Sequence, residues 1–231
     1  MYFQHASQIW ADYPQLVAAA MVLDGVRPDV DVNATLERFY SQARERQRLS
    51  SEGDMPEIAA WRRAFSQMNL KPTQYRCAAE SLLRRFRQEG NLPRFHPLVD
   101  LCNAVSLASA VPIAVFDVAQ IAEFLEVRYA AGTEEYLAFN DEIENPQPGE
   151  VAFVDAAGKA HARRWTFRQS KRSVVAPDTK RVLIVIEALH AAAGRDIEAL
   201  VENLRAALKS CWGGPAPSAI LSAASPRLEF N

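Results

Sequence analysis

Three stretches of this chain put polar groups where apolar packing does not want them. Asp100 and Asn103 lie inside the run PLVDLCNAVSLASAVP, where each must find a hydrogen-bond partner. Trp165, Thr166, Phe167, Arg168, Gln169 and Ser170 set aromatic rings beside a guanidinium and an amide, a composition suited to stacking on a nucleotide or hydrogen-bonding an amino acid. Glu187 interrupts RVLIVIEAL, and a carboxylate buried there needs a positive partner or the amine of a ligand. Each has a plainer structural counterpart: a helix-capping network, a hairpin edge, and an ion pair with an arginine. Together the three point to a polar pocket.

Other chemistries find no foothold. The chain has no G-x-S-x-G, no G-x-x-x-x-G-K-[ST] and no G-x-G-x-x-G. Cys102 sits in an apolar segment, which favours a buried structural thiol over a nucleophilic thiolate. Asp141, Glu142 and Glu144 precede Asn145-Pro146 and read as a solvated turn rather than a general acid/base pair. The four histidines (His5, His96, His161, His190) include no H-x-x-x-H pair, so no metal is expected, nor any other cofactor.

The 231 residues carry a net charge of -2, which excludes a polybasic coat protein, but the charge is unevenly spread. Residues 117–155 hold ten acids and one base; residues 159–181 hold eight bases and one acid; residues 37–94 hold twelve bases and seven acids. The two basic tracts read either as a footprint for a polyanion or as solvated helix faces and a charge-defended hairpin edge.

The elements that must position these groups follow from periodicity. Leu16 to Val26, closed by Asp24-Gly25, reads as a buried strand. A helix capped by Asp31 or Asn33 runs through Leu36, Phe39, Tyr40 and Ala43. Ile58, Trp61, Phe65 and Met68 form the stripe of a helix over 57–68, and Thr73 is expected to cap the next, which stops at Gly90. A third apolar helix spans 97–111. Strands follow at Leu125 to Ala130, Glu135 to Phe139 and Glu150 to Asp155. The last is joined to Lys159–Phe167 by a turn at Ala156-Ala157-Gly158, and Arg181 to Leu189 is the strongest strand. Asp196 to Trp212 closes as an amphipathic helix, and the Gly/Pro/Ser-rich tail reads as loosely attached.

Three widely spaced cysteines exclude a disulfide framework. The longest apolar run, Leu16 to Leu23, is eight residues, against about 20 for a membrane span. With no signal-peptide pattern, a cytoplasmic protein without a membrane partner is expected.

The run LVDLCNAVSLASAVPIAVFD (98–117) resembles the B3/B4 editing domain of the phenylalanyl-tRNA synthetase beta subunit, with its V-D-x-x-N, then Pro, then F-D. The likeness continues through Glu126-Val127-Arg128-Tyr129-Ala130, Gly149 to Asp155, Asp178-Thr179 and Val182 to Ala188. Trp61, Leu82-Leu83-Arg84-Arg85 and RQSKR are similar to free-standing B3/B4 proteins. It covers about residues 57–190. The resemblance implies an α+β fold, a B3/B4-like domain whose unusual sandwich-like β core is flanked by helices. The domain is expected over 57–211, with an N-terminal extension over 1–56 packed on the same core and the tail over 212–231.

It also implies an activity: trans-acting editing, the hydrolysis of the ester of a misacylated tRNA, with tRNA or aminoacyl-tRNA as partner. Cys102, Asn103, Ala114 and Glu187 then fall at the amino-acid pocket, and Arg163, Arg164, Arg168, Gln169, Lys171 and Arg172 at the tRNA. Cys102 stands where the synthetase has Thr. Ala114 stands where the family has an editing-site His, with His96 and His161 as candidate replacements. That departure leaves an alternative open, a non-catalytic tRNA-, RNA- or amino-acid-binding module that has lost hydrolysis.

Overall fold

Residues 1–213 and 218–231 are described by a computed structural model that begins with strand β1 (Tyr2–His5) and the short helix α1 (Ser7–Asp12). The apolar run that follows is strand β2 (Val17–Asp24), with Ala18 to Leu23 buried on both faces. Four helices come next: α2 (Asn33–Leu49), α3 (Pro56–Gln67), α4 (Ala78–Glu89) and α5 (Pro97–Ser109). α2 buries the stripe Leu36, Phe39, Tyr40 and Ala43. Pro56 and Pro97 occupy the first turns of α3 and α5, where a missing N–H costs nothing.

The strand-rich half contains β3 (Ile113–Asp117), β4 (Phe124–Tyr129), β5 (Glu135–Leu137), β6 (Ile143–Glu144), β7 (Val151–Asp155), β8 (Lys159–Arg163) and β9 (Arg168–Gln169). It ends with β10 (Arg181–Ala188), followed by α6 (Ala193–Trp212), β11 (Ser218–Leu221) and β12 (Arg227–Glu229).

Two sheets result. The larger has the order β12-β1-β4-β7-β8-β5-β6 with β9 paired to β8, and the smaller has the order β11-β2-β10-β3. β10 is antiparallel to both neighbours, and Val182 to Ala188 are buried throughout. The sheets face each other through aromatic contacts, with Phe116 of β3 meeting Phe153 of β7 at 5.4 Å between centroids. Helices α3, α5 and α6 pack on strands of the smaller sheet, so the domain is α+β with a sandwich-like core. One cluster of buried side chains runs from Phe3 to Phe230.

Several expectations fail locally. The N-cap of α2 is Val32 with no side-chain cap, in place of Asp31 or Asn33, and the strand expected over Lys159–Phe167 ends at Arg163, where the backbone turns. α4 begins at Ala78, not after Thr73. Residues 71–75 close their own turn, with the amides of Gln74 and Tyr75 donating to Lys71 O, and the amide of Ala78 donates to Thr166 O at 2.8 Å. A distant loop supplies the cap, which no local pattern encodes.

Nor are the described residues of the tail loose. β11 pairs with β2 and β12 with β1, burying Leu221 and Phe230. Gly, Pro and Ser dominate its composition, yet a few apolar residues suffice once two open sheet edges are available. The strand β1 was not legible either, because four residues carry little periodicity. Leu221→Ala is therefore expected to destabilise the protein by about 2–5 kcal/mol in urea unfolding, where a loose tail would give a change near zero.

Candidate functional site

The site is built around β10. Glu187, 2% exposed, receives the Trp165 indole N–H on Oε1 at 2.7 Å, and His5 Nε2 stands 2.7 Å from the same oxygen. A carboxylate only accepts, so with Glu187 ionised His5 carries its proton on Nε2. The partner is thus an imidazole and an indole, not the arginine expected of a core ion pair. In the sequence His5 stands out only as one of four scattered histidines, with nothing to tie it to Glu187.

Trp165 reaches Glu187 because its loop is bent unusually. Arg164 and Trp165 both have positive φ, 49° and 56°, at a cost on the order of 1–3 kcal/mol each for non-glycine residues. The bend is held by the Arg164 amide on Glu150 Oε1 at 3.0 Å and the Trp165 amide on Val151 O at 2.8 Å. The Trp165 ring is fully buried, edge-on to Trp61 and Tyr13 with centroids 5.0 and 4.8 Å away. It supports the carboxylate and also lines the narrow cavity beside Glu187.

Beside Glu187 lies a narrow cavity of about 70 Å³ lined by Ala114, Phe153, Phe167, Arg168 and Gln169 among others. A second cavity, about 350 Å³ and mostly apolar, is lined by Phe95, Val99, Asn103, Phe139, Val174 and Val175. Ile113 and Gln169 line both. Gln169 is fixed as the partition, its side-chain amide donating to Val115 O at 2.8 Å. The structure therefore brings Ala114, Glu187, Arg168 and Gln169 together and places Asn103 on the far side of Gln169. Phe95 and Phe139, 73% and 57% exposed, stand on the larger cavity, two aromatic rings that the sequence argument did not use.

Several expected residues are elsewhere. Cys102 is 1% exposed and lines neither cavity; it faces the core, because its neighbour Asn103 takes the open side of α5. Burial pushes its thiol up to about 12, and that of Cys77 likewise. Asp100 accepts from the Arg94 Nε–H at 2.8 Å and the Phe95 amide at 2.9 Å, the capping network.

His96 accepts the Leu98 amide as the N-cap of α5, and His161 Nε2 lies 3.2 Å from Asp155. Neither lines a cavity with Ala114. Burial would raise the Asp155 carboxyl, but hydrogen bonds from His161 and the amides of Lys159 and Ala122 outweigh it and hold it below the usual range.

The basic tract is largely answered from within. Arg163 is 4% exposed and forms ion pairs with Glu144 and Glu150, so it is not on a tRNA-facing surface. Lys159 pairs with Glu135, Lys171 with Asp141 and Arg181 with Asp24. Arg164 lies over the Tyr75 ring at 4.9 Å. Four of the acids, Glu135, Asp141, Glu144 and Glu150, come from the acidic tract, which the fold lays against the basic one. Among the described residues, Arg168, Arg172 and Lys180 have no carboxylate partner within 4.0 Å.

Two facing sheets with helices on one of them, beside two neighbouring cavities that share Ile113 and Gln169, define an α+β architecture with a candidate ligand pocket. The chain belongs to the B3/4 domain family, whose model matches residues 60–201. Its fold is similar to the crystal structure of an N-terminal fragment of the phenylalanyl-tRNA synthetase beta-subunit from Pyrococcus horikoshii, with a TM-score of 0.51 and 12% identity. The match covers 93% of this chain and 49% of that one, so the chain corresponds to about half the length of the fragment. A search of curated proteins returned no match. Among the described residues no helix is long and apolar enough to cross a membrane.

Cys77 and Cys102 are expected to resist a maleimide at pH 7.4 in the native state while half-buried Cys211 reacts. Mass-resolved labelling checks this, and rapid modification of Cys102 would restore the case for a thiolate.

Proposed function

We propose that this protein removes a misattached amino acid from a tRNA, acting in trans. The observation that carries the reading is the pair of neighbouring cavities on either side of Gln169, one lined by Glu187 and the other by Asn103, in a chain of the B3/4 family. The larger cavity has the size of a small-molecule site. Its exposed Phe95 and Phe139 suit the terminal base or an apolar side chain. Arg168, at the narrow cavity and without a carboxylate partner, suits the terminal phosphate.

The reaction needs no protein nucleophile, which agrees with the buried, high-pKa thiols of Cys77 and Cys102. Water adds to the ester carbonyl carbon, the bond from that carbon to the ribose oxygen breaks, and the ribose oxygen leaves with a proton. A neighbouring ribose hydroxyl of the substrate orients the water, while Glu187 and Asn103 bind the amino acid. Glu187 enters this scheme as a binding group; its Oε1 already accepts from Trp165 and His5, which sets the carboxylate plane.

A second reading is favoured by Ala114, which supplies no imidazole at the narrow cavity: a binding module that holds the same ligand without hydrolysis. A deacylation screen against tRNAs charged with each amino acid, cognate and mischarged, separates the two. Release from one or a few species is expected, slowed at least about tenfold by Glu187→Gln or Asn103→Ala, the worth of one charge-assisted hydrogen bond. Binding without release supports the module. Neither release nor binding sinks both readings.

If Arg168, Arg172 and Lys180 are the phosphate contacts, log K against log salt should have a slope of about -2 for a single-stranded end. Arg168→Ala or Arg172→Ala should each reduce that slope by about 0.7. A slope unchanged in both variants would move the tRNA contact elsewhere.

A further inference from the structure

A second cluster of ionisable groups lies away from the Glu187 cavity. Glu57 stands in the first turn of α3, His190 in the connection from β10 to α6, and Asp196 in the first turn of α6. Each offers one ligand atom within 4.8 Å of the other two. Two chain segments, the start of α3 and the 190–196 stretch leading into α6, thus converge on one point.

The hydrogen bonding there is incomplete. Glu57, 8% exposed, accepts from Arg46 on Oε1 at 2.8 Å, but its Oε2 is buried with no partner. His190, 5% exposed, has Nε2 2.9 Å from Asp196 Oδ2, and its Nδ1 is buried with no partner. A buried carboxylate oxygen left without a donor is costly, and the Asp196–His190 contact does not relieve it. Glu57 and Asp196 also line an open cavity of about 240 Å³ with Gln42, Ser109 and Asn203, which leaves room for water beside the cluster.

We infer that Glu57, His190 and Asp196 bind a divalent transition-metal cation of the zinc type. Two carboxylates and one imidazole form a mixed O/N donor set, which suits zinc or cobalt better than magnesium. Neighbouring ligand atoms in a tetrahedral site stand roughly 3.3 Å apart, and the three here lie within 4.8 Å of one another before any ion draws them in. The two carboxylate charges are offset by Arg46 on Glu57 and by Arg195, whose Nε donates to Asp196 Oδ1 at 3.1 Å. Affinity is consequently moderate, and Arg46 limits it. Such an ion would pin α3 to the start of α6, adding a link between helices that share few other polar contacts with one another.

The test uses the full chain after chelator treatment. Cobalt(II) should give a visible d–d absorption band saturating at one ion per chain, bleached by one equivalent of zinc and unaffected by excess magnesium. Glu57→Gln and Asp196→Asn should each weaken binding at least about tenfold, His190→Ala should abolish the band, and Arg46→Gln should tighten binding. Circular dichroism checks the fold of each variant; should His190→Ala fail to fold, the two near-isosteric carboxylate variants decide. Absence of stoichiometric binding, or binding that survives both Glu57→Gln and Asp196→Asn, would overturn the assignment.

Discussion

The Glu187 carboxylate, buried near the end of β10 in the smaller sheet, is the constraint from which much of this structure follows. An ionised group in such a place is tolerated only with hydrogen-bond donors around it. His5 comes from the end of β1 in the larger sheet, and Trp165 from the loop between β8 and β9. One oxygen thereby links both sheets and fixes the loop that walls the narrow cavity. The two left-handed residues Arg164 and Trp165 are the strain that this link tolerates, compensated by Glu150, Val151 and the edge-on packing of Trp165 against Trp61 and Tyr13.

Charge compensation is the second theme. Tracts of opposite sign, separate in sequence, fold onto each other, so that Glu144 and Glu150 neutralise Arg163 and Asp141 meets Lys171. On the helical side, Glu80 is fully buried and holds Arg62, Arg76 and Arg84. Within the 159–181 tract, what remains for a polyanion is Arg168 at the narrow cavity together with Arg172 and Lys180. A terminus-reading site, in which a few phosphates are touched and the rest of the recognition is steric and polar, fits that distribution better than a long groove for duplex RNA.

The long helices and the central strand were legible because burial imposes a period on the sequence, while the α+β class came from the family resemblance. Leu36, Phe39, Tyr40 and Ala43 repeat at helical spacing, and RVLIVIEAL has the continuous apolar character of a strand covered on both faces. The short elements were not. β1 and the tail strands are three or four residues each, stable only because an open edge of an existing sheet accepts them. The helix start at Ala78 escaped for a similar reason, since its cap is the carbonyl of Thr166.

For the site, the sequence by itself determined which groups had to be resolved: an acid inside a buried strand, an amide in an apolar helix, and an aromatic–arginine loop. Their types alone make them costly to bury unpaired, and that cost is independent of the fold. Only the tertiary structure decided the partners. It gave Glu187 to His5 and Trp165, set Gln169 between two cavities, turned Cys102 into the core, and consumed Arg163 in ion pairs. Hydrogen bonds and ion pairs act over a few ångströms in space, and the residues they join here are up to 182 positions apart in the chain, so no local pattern can record them.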